Sequence, residues 1–600
     1  MKKFAWILVT CLMVLSLLVT SCGEAITDEE EETNGEEEDI NGGEEEEEEE
    51  EEEVTDGRDM VVNTAGKLVE RPRYGGWHVV TGSDPQGFDE TRTPSYSLYT
   101  MNLTNDKLMA GDWAKGSQGT GEASWLLTGT FFLDYAVPSL CESWELPDDE
   151  TIIYHIRQGV HFHNKPPVNG REMTAHDVVY SLERLFFDET TYTYGTYPPG
   201  NGPISITALD DWTVEIKVPM IQQAPLLFTT GDFNYIVPQD MVEEYGDMTA
   251  WENSCGTGPF ILTDYVQASS LTFERNPNYW MHNPLHPEDQ LPYLDGVKWL
   301  IVPDASTSLA AFRTGKLERR GVSDDDEPDL RKNCPELAWL QTLVTTSYDI
   351  FMRTDKEPYS DIRVREALAM AIDRPALVEY YYEGNAEILA SLVGPFPEFM
   401  DVYTPLEELP EETRALFEYN PDRAKELLSE AGYPDGFQTE IITSSESVLP
   451  IIKDDWSKIG VELDIQMRTT AVWYTIALRR THEHMIRSYN SLDKLKINSF
   501  EKEQQRNFSM VDDPVYQEMY NESIASMLDD AKFRSIVKDM VPYILSQSWY
   551  IPMPVPYYYY AWWPWVKGYG GESTVGYYRS GDYVKYIWID EDLRKEMTGR

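Results

Sequence analysis

The sequence predicts an α/β protein, because segments with the period of a strand alternate along the chain with segments that have the period of a helix. Residues 151–158 alternate between two faces, as a strand does. Residues 175–185 carry an apolar stripe at helical spacing. Thr174 and Asp177 occupy the positions of a capping box at the start of that helix. The 600 residues, of which 41% are hydrophobic, can bury a large core and predict several domains.

The same patterns place further elements along the chain. A second short strand is expected at residues 160–162, before the breaking residues Lys165-Pro-Pro167. The other predicted strands are 78–80, 256–264, 271–275 and 461–465, and residues 209–216 are predicted to form a turn followed by a strand. The other predicted helices are 362–372, 422–431 and 513–540. We expect Asn420 to cap the second of these helices, with Pro421 at its first position.

The charge balance is strongly acidic, with a formal net charge of −56. Residues 1–59 hold 22 acidic and 3 basic side chains, and the rest of the chain is acidic as well. Such a surface repels nucleic acid and anionic lipid, so the sequence argues against both as partners. Cys141, Cys255 and Cys334 are the cysteines that follow the leader; they allow at most one disulfide and have no metal-binding spacing.

The N-terminus has the form of a secretion leader followed by a tether. Lys2-Lys3 and an apolar run lead to Val19-Thr-Ser-Cys22, which resembles the cleavage box of a bacterial lipoprotein. This resemblance implies cleavage before Cys22 and acylation of that residue, so that lipid anchors the chain to the membrane. A single transmembrane anchor is the competing interpretation. Residues 23–59 contain an unbroken run of glutamates and predict a disordered stalk; a loose calcium-binding segment is the alternative.

Several strings carry a resemblance to a known family. Residues 139–185 hold the first of them, from Ser139-Leu-Cys-Glu-Ser-Trp-Glu145 to the capped helix. The others follow in the family's order: Gly256-Thr-Gly-Pro-Phe260, Arg275-Asn-Pro-Asn-Tyr-Trp280, Leu291-Pro-Tyr-Leu-Asp-Gly296, Asp361-Ile-Arg-Val-Arg-Glu-Ala-Leu368, Ala371-Ile-Asp-Arg374, Asn420-Pro-Asp-Arg-Ala-Lys-Glu-Leu-Leu428 and Ala431-Gly-Tyr-Pro-Asp-Gly-Phe437. The chain thereby resembles the family 5 extracytoplasmic solute-binding proteins of ABC importers for oligopeptides, dipeptides and nickel.

The resemblance implies a two-lobed α/β fold, the type II periplasmic-binding-protein-like fold, with an extra small domain in the N-terminal lobe. The expected segments are a signal peptide at 1–22, an acidic tether at 23–59, the first part of lobe I at 60–137, the small extra domain at 138–205, the continuation of lobe I at 206–344, lobe II at 345–548 and a return segment of lobe I at 549–600. Within the first part of lobe I, the glycine-rich residues 111–121 are expected to form an exposed loop.

No motif predicts catalysis or a cofactor. The sequence contains no nucleophile elbow, no H-E-x-x-H zinc motif and no phosphate-binding loop. His161 and His163 would face the same side of a strand, which suits a metal pair, but the family's scaffold loop carries such histidines whatever the ligand. His482 and His484 are an equally weak pair. We therefore predict a binding protein without a metal or a cofactor.

The resemblance places ligand-binding residues in the second lobe. In peptide binders of the family, an aromatic residue soon after the strand at 461–465 lines the cleft, and Trp473 takes that place. A Gly-Trp element also lines it, and here Ser488-Tyr489 stands in its position. The acid that holds the peptide amino group would be Asp493, one residue later than in the family's pattern.

Two arginines and two tyrosines complete the predicted site. Arg480 and Arg487 would meet a carboxylate. Tyr194 and Tyr197 follow the capped helix and would close over the ligand from the facing side. Ordinary packing is the alternative role for each aromatic residue of the site.

Two further groups have a recognition role and a packing role as alternatives, and for both we favour packing. They are the charged residues Arg363, Arg365, Asp373 and Arg374, and the aromatic tail at 552–565.

The predicted function is capture of a solute, most simply a peptide, and its delivery to a membrane permease and ATPase. Aromatic side chains suit the variable side chains of peptides. An oligosaccharide or nickel chelate is an alternative ligand. A sensor or adhesion protein with the same fold, or an extracellular hydrolase, is the alternative in another functional class, although the hydrolase lacks a nucleophile motif.

Overall fold

The computed structural model describes residues 59–91, 100–127, 132–390, 392–492, 498–577 and 580–599. The predicted leader with Cys22, the tether up to residue 58, and Asp493 lie outside these ranges. Among the helices within them, none has both the length and the apolar character that a membrane crossing requires.

The first predicted strand belongs to a mixed four-stranded sheet. Its strands, in spatial order, are Phe260–Val266, Ser270–Arg275, Gly296–Leu300 and Trp77–Thr81. The last two run parallel, and the other neighbours run antiparallel. Leu271 and Phe273 are fully buried while the residues between and after them are less so, which is the alternation of a sheet with one face on the core.

The predicted hairpin and capped helix lie together in a second, antiparallel sheet region. The sheet has the order Cys141–Glu145, Thr151–Ile156, Thr213–Lys217 and Ser205–Asp210. The helix Ala175–Phe186 contacts the last two of these strands and begins with the predicted capping box of Thr174 and Asp177. The predicted strand at 160–162 is wrong: only a single bridge joins His161 to Glu172. Pro166 and Pro167 follow closely and lack the N–H groups that a longer ladder needs.

A five-stranded sheet carries most of the C-terminal half. Its order is Val461–Met467, Phe437–Thr443, Met485–Ser491, Thr346–Met352 and Tyr550–Ile551. The first three strands are parallel, and Thr346–Met352 is antiparallel to both of its neighbours. The helix Pro421–Glu430 has the predicted cap, because the Asn420 side chain accepts from the N–H of Arg423 at 3.0 Å.

The helix predicted over 513–540 is two helices, Pro514–Ala525 and Asp530–Ser546. A new helix starts after Asp529 because the carboxylate of this residue accepts the N–H of Lys532 at 3.0 Å and so caps the second helix.

The aromatic tail forms a strand whose tyrosines are half-buried and whose last two residues are buried. Val555–Trp562 lies between Arg319–Val322 and Ala338–Leu343 and also pairs with Ala386–Glu387. Beyond it, Trp563 and Trp565 are buried and stack at 4.7 Å between ring centroids. Packing, the alternative that we favoured for this tail, therefore accounts for these two tryptophans.

Shorter elements complete the described chain. The two-stranded sheets pair Met60–Val62 with Leu68–Glu70, Met109–Gly111 with Ala136–Pro138, His282–Asn283 with His286–Gln290, and Val566–Lys567 with Trp588–Ile589. The other helices are Met101–Thr104, Tyr192–Thr196, Gln223–Asp232, Gln239–Tyr245, Ala305–Arg313, Glu327–Asn333, Ile362–Met370, Arg374–Ala376, Glu411–Arg414, Leu449–Ser457, Thr470–Arg479 and Glu591–Thr598.

The glycine-rich segment 111–121 is largely packed, so the expectation of an exposed loop is wrong. Trp113 is 2% exposed and its ring stacks on Tyr586 with 4.5 Å between centroids. A Cβ atom at Gly119 would lie 1.7 Å from the carbonyl oxygen of Ala114. The glycine therefore permits a close backbone approach instead of marking exposure.

The chain that follows this segment reaches the core around the five-stranded sheet. Leu126, Leu127 and Phe132 belong to that core, although most of its members come from residues 343–555. Ser124 adds polar contacts, because its N–H and its hydroxyl each donate to the Glu398 carboxylate at 2.9 Å. An N-terminal segment thus ties itself to the C-terminal half through both apolar and polar contacts.

Candidate functional site

The candidate site is a cluster of arginine and aromatic side chains on the five-stranded sheet. In the antiparallel pair of Thr346–Met352 and Met485–Ser491, Tyr348 lies opposite Tyr489, and Ile350 lies opposite Arg487. Since side chains two residues apart share a face, Tyr348, Arg487 and Tyr489 lie on the same face. The rings of Tyr348 and Tyr489 are 5.9 Å apart. We call these three residues with Trp473 the arginine–tyrosine cluster.

Trp473 supports this cluster from the helix Thr470–Arg479. It is 4% exposed, and its Nε1–H donates to the carbonyl oxygen of Arg487 at 3.1 Å. Its ring lies 5.9 Å from that of Tyr489. The predicted aromatic residue is therefore at the site, where it holds the strand that carries Arg487 and Tyr489.

Arg487 places a positive charge inside the cluster. It is 7% exposed, and its guanidinium carbon lies 5.2 Å from the centroid of the Tyr348 ring. Its Nη1 donates to the carbonyl oxygen of Ser445 at 3.4 Å, and within the described residues its Nε has no partner. Burial lowers the pKa of the guanidinium, an effect that the neighbouring hydroxyl groups of Tyr382 and Tyr348 oppose.

The other predicted residues on this side have different surroundings. Arg480 ends the helix Thr470–Arg479 in the left-handed region with φ of 54°. Its Nη1 donates to the carbonyl oxygen of Lys502 at 2.9 Å, so this side chain joins two chain segments. Asp493 lies outside the described residues, and its role as an amino-group anchor stays a prediction.

Tyr194 and Tyr197 lie in and just after the short helix Tyr192–Thr196. Thr191 caps this helix by accepting the N–H of Tyr194 at 3.1 Å. The Tyr197 hydroxyl shares a 2.8 Å hydrogen bond with Thr229, and burial raises its pKa. Tyr197 is also close enough to Tyr520 to raise the pKa of that residue. Tyr197 therefore packs near the C-terminal helices, and a contact with ligand stays a prediction for both tyrosines.

Sequence reasoning missed several residues around the cluster. Tyr348 belongs to the cluster because the strand register places it opposite Tyr489, and no sequence pattern predicts this register. Arg506 is exposed and lies 5.9 Å from the Tyr489 ring. Tyr381 and Tyr382 are close enough to affect the pKa of Arg487, and the run Tyr380-Tyr-Tyr382 was the available signal.

The histidines of the predicted scaffold loop are engaged by backbone groups. His163 is buried; its Nε2 lies 3.0 Å from the carbonyl oxygen of Gly258, and its Nδ1 accepts from the N–H of Gly256 at 3.4 Å. Burial lowers the pKa of this imidazole to about 4, so the ring is neutral near pH 7. His161 directs its Nδ1 to the carbonyl oxygen of Gly170 at 2.9 Å.

One group of potential metal ligands occurs in the described ranges. His286, Glu288 and Asp289 bring their ligand atoms within 4.8 Å of one another. The guanidinium of Arg71 lies 3.6 Å from both carboxylates and already balances their charge. This group is remote in sequence from the arginine–tyrosine cluster and adds nothing to it.

The model of the family "Bacterial extracellular solute-binding proteins, family 5 Middle" matches residues 136–500. Heme-binding protein A of Haemophilus influenzae is 30% identical over 349 residues, which are 54% of this chain and 60% of that protein. The dipeptide-binding protein of Escherichia coli is 25% identical over 357 residues, 55% of this chain and 63% of that protein. The chain thus spans about 60% of the length of these curated relatives.

Solved structures match over a larger share of the chain. HbpA2 from Haemophilus parasuis has a TM-score of 0.69 at 21% identity and covers 86% of this chain and 100% of its own. The binding protein DppA from Helicobacter pylori, in complex with the peptide STSA, has a TM-score of 0.64 at 23% identity and covers 86% of this chain and 99% of its own. These similarities confirm the predicted two-lobed α/β fold.

Proposed function

The chain belongs to family 5 of the bacterial extracellular solute-binding proteins, and from this premise we propose that it captures a peptide outside the cytoplasm and delivers it to an ABC transporter. The ligand would enter the cleft between the lobes and contact the arginine–tyrosine cluster. Closure of the lobes requires contacts that are better in the closed state than in the open one, and a ligand held from both sides supplies them. The function is binding and not catalysis.

The family match over residues 136–500 carries this proposal. The cluster adds the chemistry that peptide capture requires, since aromatic faces suit variable side chains and a guanidinium suits a carboxylate. Relatives named for dipeptide binding, and a solved structure with a bound peptide, support the choice of ligand class.

The localisation and the domain boundaries belong to the same proposal. Lipid on Cys22 would hold the protein at the cell membrane, next to the permease and ATPase that receive its ligand. Lobe I would comprise 60–137, 206–344 and 549–600, the small domain 138–205, and lobe II 345–548. The core around the five-stranded sheet draws most of its members from residues 343–555, which supports lobe II as a separate unit. The sheet that begins with Cys141–Glu145 continues past residue 205 through the strands Ser205–Asp210 and Thr213–Lys217.

Heme is a second candidate ligand, because a relative that is 30% identical is named for heme binding. A heme macrocycle is flat and apolar and bears carboxylates, so tyrosine faces and an arginine would suit it too.

The deciding experiment is native mass spectrometry of the protein without residues 1–22, followed by denaturation and identification of the released ligand. Released peptides would support the proposal. A heme mass, together with a Soret band when hemin is added, would replace the peptide by heme. Hydrolysed peptides accumulating beside intact protein would overturn the binding function in favour of a hydrolase.

A further inference from the structure

The hairpin at residues 282–290 carries three potential metal ligands close together. Its two strands do not pair evenly, because the register moves by one residue on the first strand and by four on the second. Residues 287–289 are the excess, and a bulge of this kind re-aims side chains out of the normal alternation. In this arrangement His286 and Asp289 are both buried, and with Glu288 they bring their ligand atoms within 4.8 Å of one another.

The imidazole of His286 is buried without a hydrogen bond. The residue is 7% exposed, and in the part of the chain that the structure describes its ring has no hydrogen-bond or ion-pair partner. The other buried histidines, His78, His163 and His482, each have a hydrogen bond at a ring nitrogen. A buried polar group normally has a partner, because the loss of water without a replacement is costly. A cation next to His286 would satisfy this nitrogen and the two nearby carboxylates together.

The protonation of His286 and the orientation of Asp289 suit a metal ion. Burial lowers the pKa of the His286 imidazole, although the carboxylates of Asp289 and Glu288 oppose that shift. The ring is therefore neutral near pH 7, which is the form that binds a metal. The Tyr293 hydroxyl donates to Oδ2 of Asp289 at 3.0 Å, and the Asn283 amide donates to that hydroxyl at 3.0 Å. Hydrogen bonds behind a ligand fix its orientation in metal sites.

Arg71 supplies the positive charge that now balances the two carboxylates. Its Nη2 lies 3.6 Å from Oε1 of Glu288 and 3.6 Å from Oδ1 of Asp289. These distances exceed those of hydrogen bonds. The Arg71 side chain is 41% exposed, and an exposed ion pair of this kind contributes little to stability. The guanidinium can therefore move into water and leave its place to a metal ion.

We propose that His286, Glu288 and Asp289 bind a divalent transition-metal ion of the zinc type, and that Arg71 moves aside when the ion binds. One imidazole nitrogen and two carboxylate oxygens form a ligand set that zinc accepts, with its fourth position open to water. Calcium and magnesium prefer oxygen ligands alone, so the nitrogen of His286 selects against them.

This metal site is separate from the arginine–tyrosine cluster. Leu285 and Tyr293 of the hairpin region belong to the core around the mixed four-stranded sheet, whereas Trp473 belongs to the core around the five-stranded sheet. The inference therefore goes beyond the proposed peptide capture, and neither depends on the other.

Zinc binding is tested on the protein without residues 1–22, by competition with a chromophoric zinc chelator in excess calcium. The calcium occupies the glutamate run and other sites that offer only oxygen, so the remaining zinc binding reports sites with a nitrogen ligand. We expect wild type to bind one zinc ion tightly. His286→Gln should weaken this binding at least about tenfold, since even changes behind the ligands of metal sites cost that much. His176→Gln removes an exposed histidine whose Nε2 lies 3.3 Å from the Asp211 carboxylate, and it should change nothing.

Arg71→Gln gives a result that a folding defect cannot imitate. It removes the competing positive charge, so zinc should bind at least about fivefold more tightly, because charges about 4 Å apart interact appreciably even in water. A damaged site would bind zinc more weakly. Arg73→Gln is the matched control, since Arg73 pairs with Asp590 at 3.0 Å and not with the hairpin, and it should change the affinity far less.

Tight zinc binding that His286→Gln loses and Arg71→Gln strengthens would support the site. The absence of tight zinc binding by wild type in excess calcium would overturn it, and so would a His286→Gln protein that keeps the tight site. Equal zinc affinity of wild type and Arg71→Gln would show that the ion does not lie between these carboxylates. Calcium that competes with zinc at the site that His286→Gln removes would overturn the choice of a transition metal.

Discussion

The Nε1–H of Trp473 donates to the backbone carbonyl oxygen of Arg487 at 3.1 Å, which ties a helix to the strand that bears the candidate ligand-binding arginine. The tryptophan is 4% exposed and its ring also contacts Tyr489. Trp473 therefore supports the strand that carries Arg487 and Tyr489. A buried donor of this kind leaves its acceptor unsatisfied when it is removed.

Trp473→Phe should lower the free energy of unfolding by at least about 1 kcal/mol, because it removes this hydrogen bond and part of the buried ring. Urea unfolding measures the change. Tyr474→Phe is the matched control, since Tyr474 is 40% exposed and should change stability by less than about 0.5 kcal/mol. Equal effects of the two substitutions would show that the indole does not hold the strand.

Phe132 should be a strong stabilising contact of the segment that reaches the C-terminal core. It is 2% exposed, its ring centroid lies 3.5 Å from the guanidinium carbon of Arg534, and it lies 5.4 Å from the ring of Phe399. Phe132→Ala should cost about 3–5 kcal/mol of unfolding free energy in urea. Phe187→Ala, at a residue that is 46% exposed, should cost far less. A loss below about 1 kcal/mol at Phe132 would contradict the packed arrangement.

The sequence alone predicts the helix caps, because each cap depends on residues that are close together in the chain. The capping box of Thr174 and Asp177 and the cap at Asn420 involve residues three positions apart, so the sequence alone contains both partners. The pairing of Ser124 with Glu398 spans 274 positions and has no local signal. The facing of Tyr348 and Tyr489 depends on strand register, which no single strand specifies.

The sequence also predicted several residues of the site, but not how deeply they are buried or which groups they contact. Family resemblance pointed to Trp473 and Tyr489, and the chemistry of its side chain pointed to Arg487; Trp473 contacts both of the others. It could not show that the guanidinium is buried with few partners, because burial depends on the packing of the whole sheet. In segment 111–121 the glycine-rich composition predicts exposure, whereas at Gly119 the missing Cβ permits close packing against Ala114.

The thiols of Cys141 and Cys255 should react slowly in the native protein. Both are fully buried, and burial raises the pKa of each to about 12, so almost no thiolate is present near pH 7. Iodoacetamide should label them only after unfolding in urea, and mass spectrometry of peptides reports the sites. Rapid labelling of Cys141 in native protein would show that its region opens readily.

Protonation of the buried His163 imidazole should destabilise the protein as the pH falls. Its folded pKa of about 4 lies below the usual value of 6.5, so its contribution is present above about pH 6.5 and is lost as the pH falls toward 4. The loss by pH 4 is about 3 kcal/mol. In urea unfolding at pH 7 and pH 4, His163→Gln should show a smaller drop than wild type. His176→Gln, at an exposed histidine, should show the wild-type drop.

Glu398 should affect the pH dependence of stability in the direction opposite to His163. Its side chain is fully buried, and burial raises the pKa of its carboxyl, although hydrogen bonds from Ser124 and the charge of Arg534 oppose that shift. The protonated form is thus favoured in the folded state. The stability that this group contributes is present below its unfolded pKa and is lost as the pH rises through the folded one.

Glu398→Gln should remove this loss, because an amide has no charge to bury and can still accept the N–H of Ser124 while donating to its hydroxyl. The melting temperature of the variant relative to wild type should therefore rise as the pH increases from 4 to 8. Glu407→Gln, at an exposed glutamate, should give a flat difference. A difference that falls with increasing pH would mean that the charged form of Glu398 is the one the fold stabilises, with Ser124 and Arg534 outweighing burial.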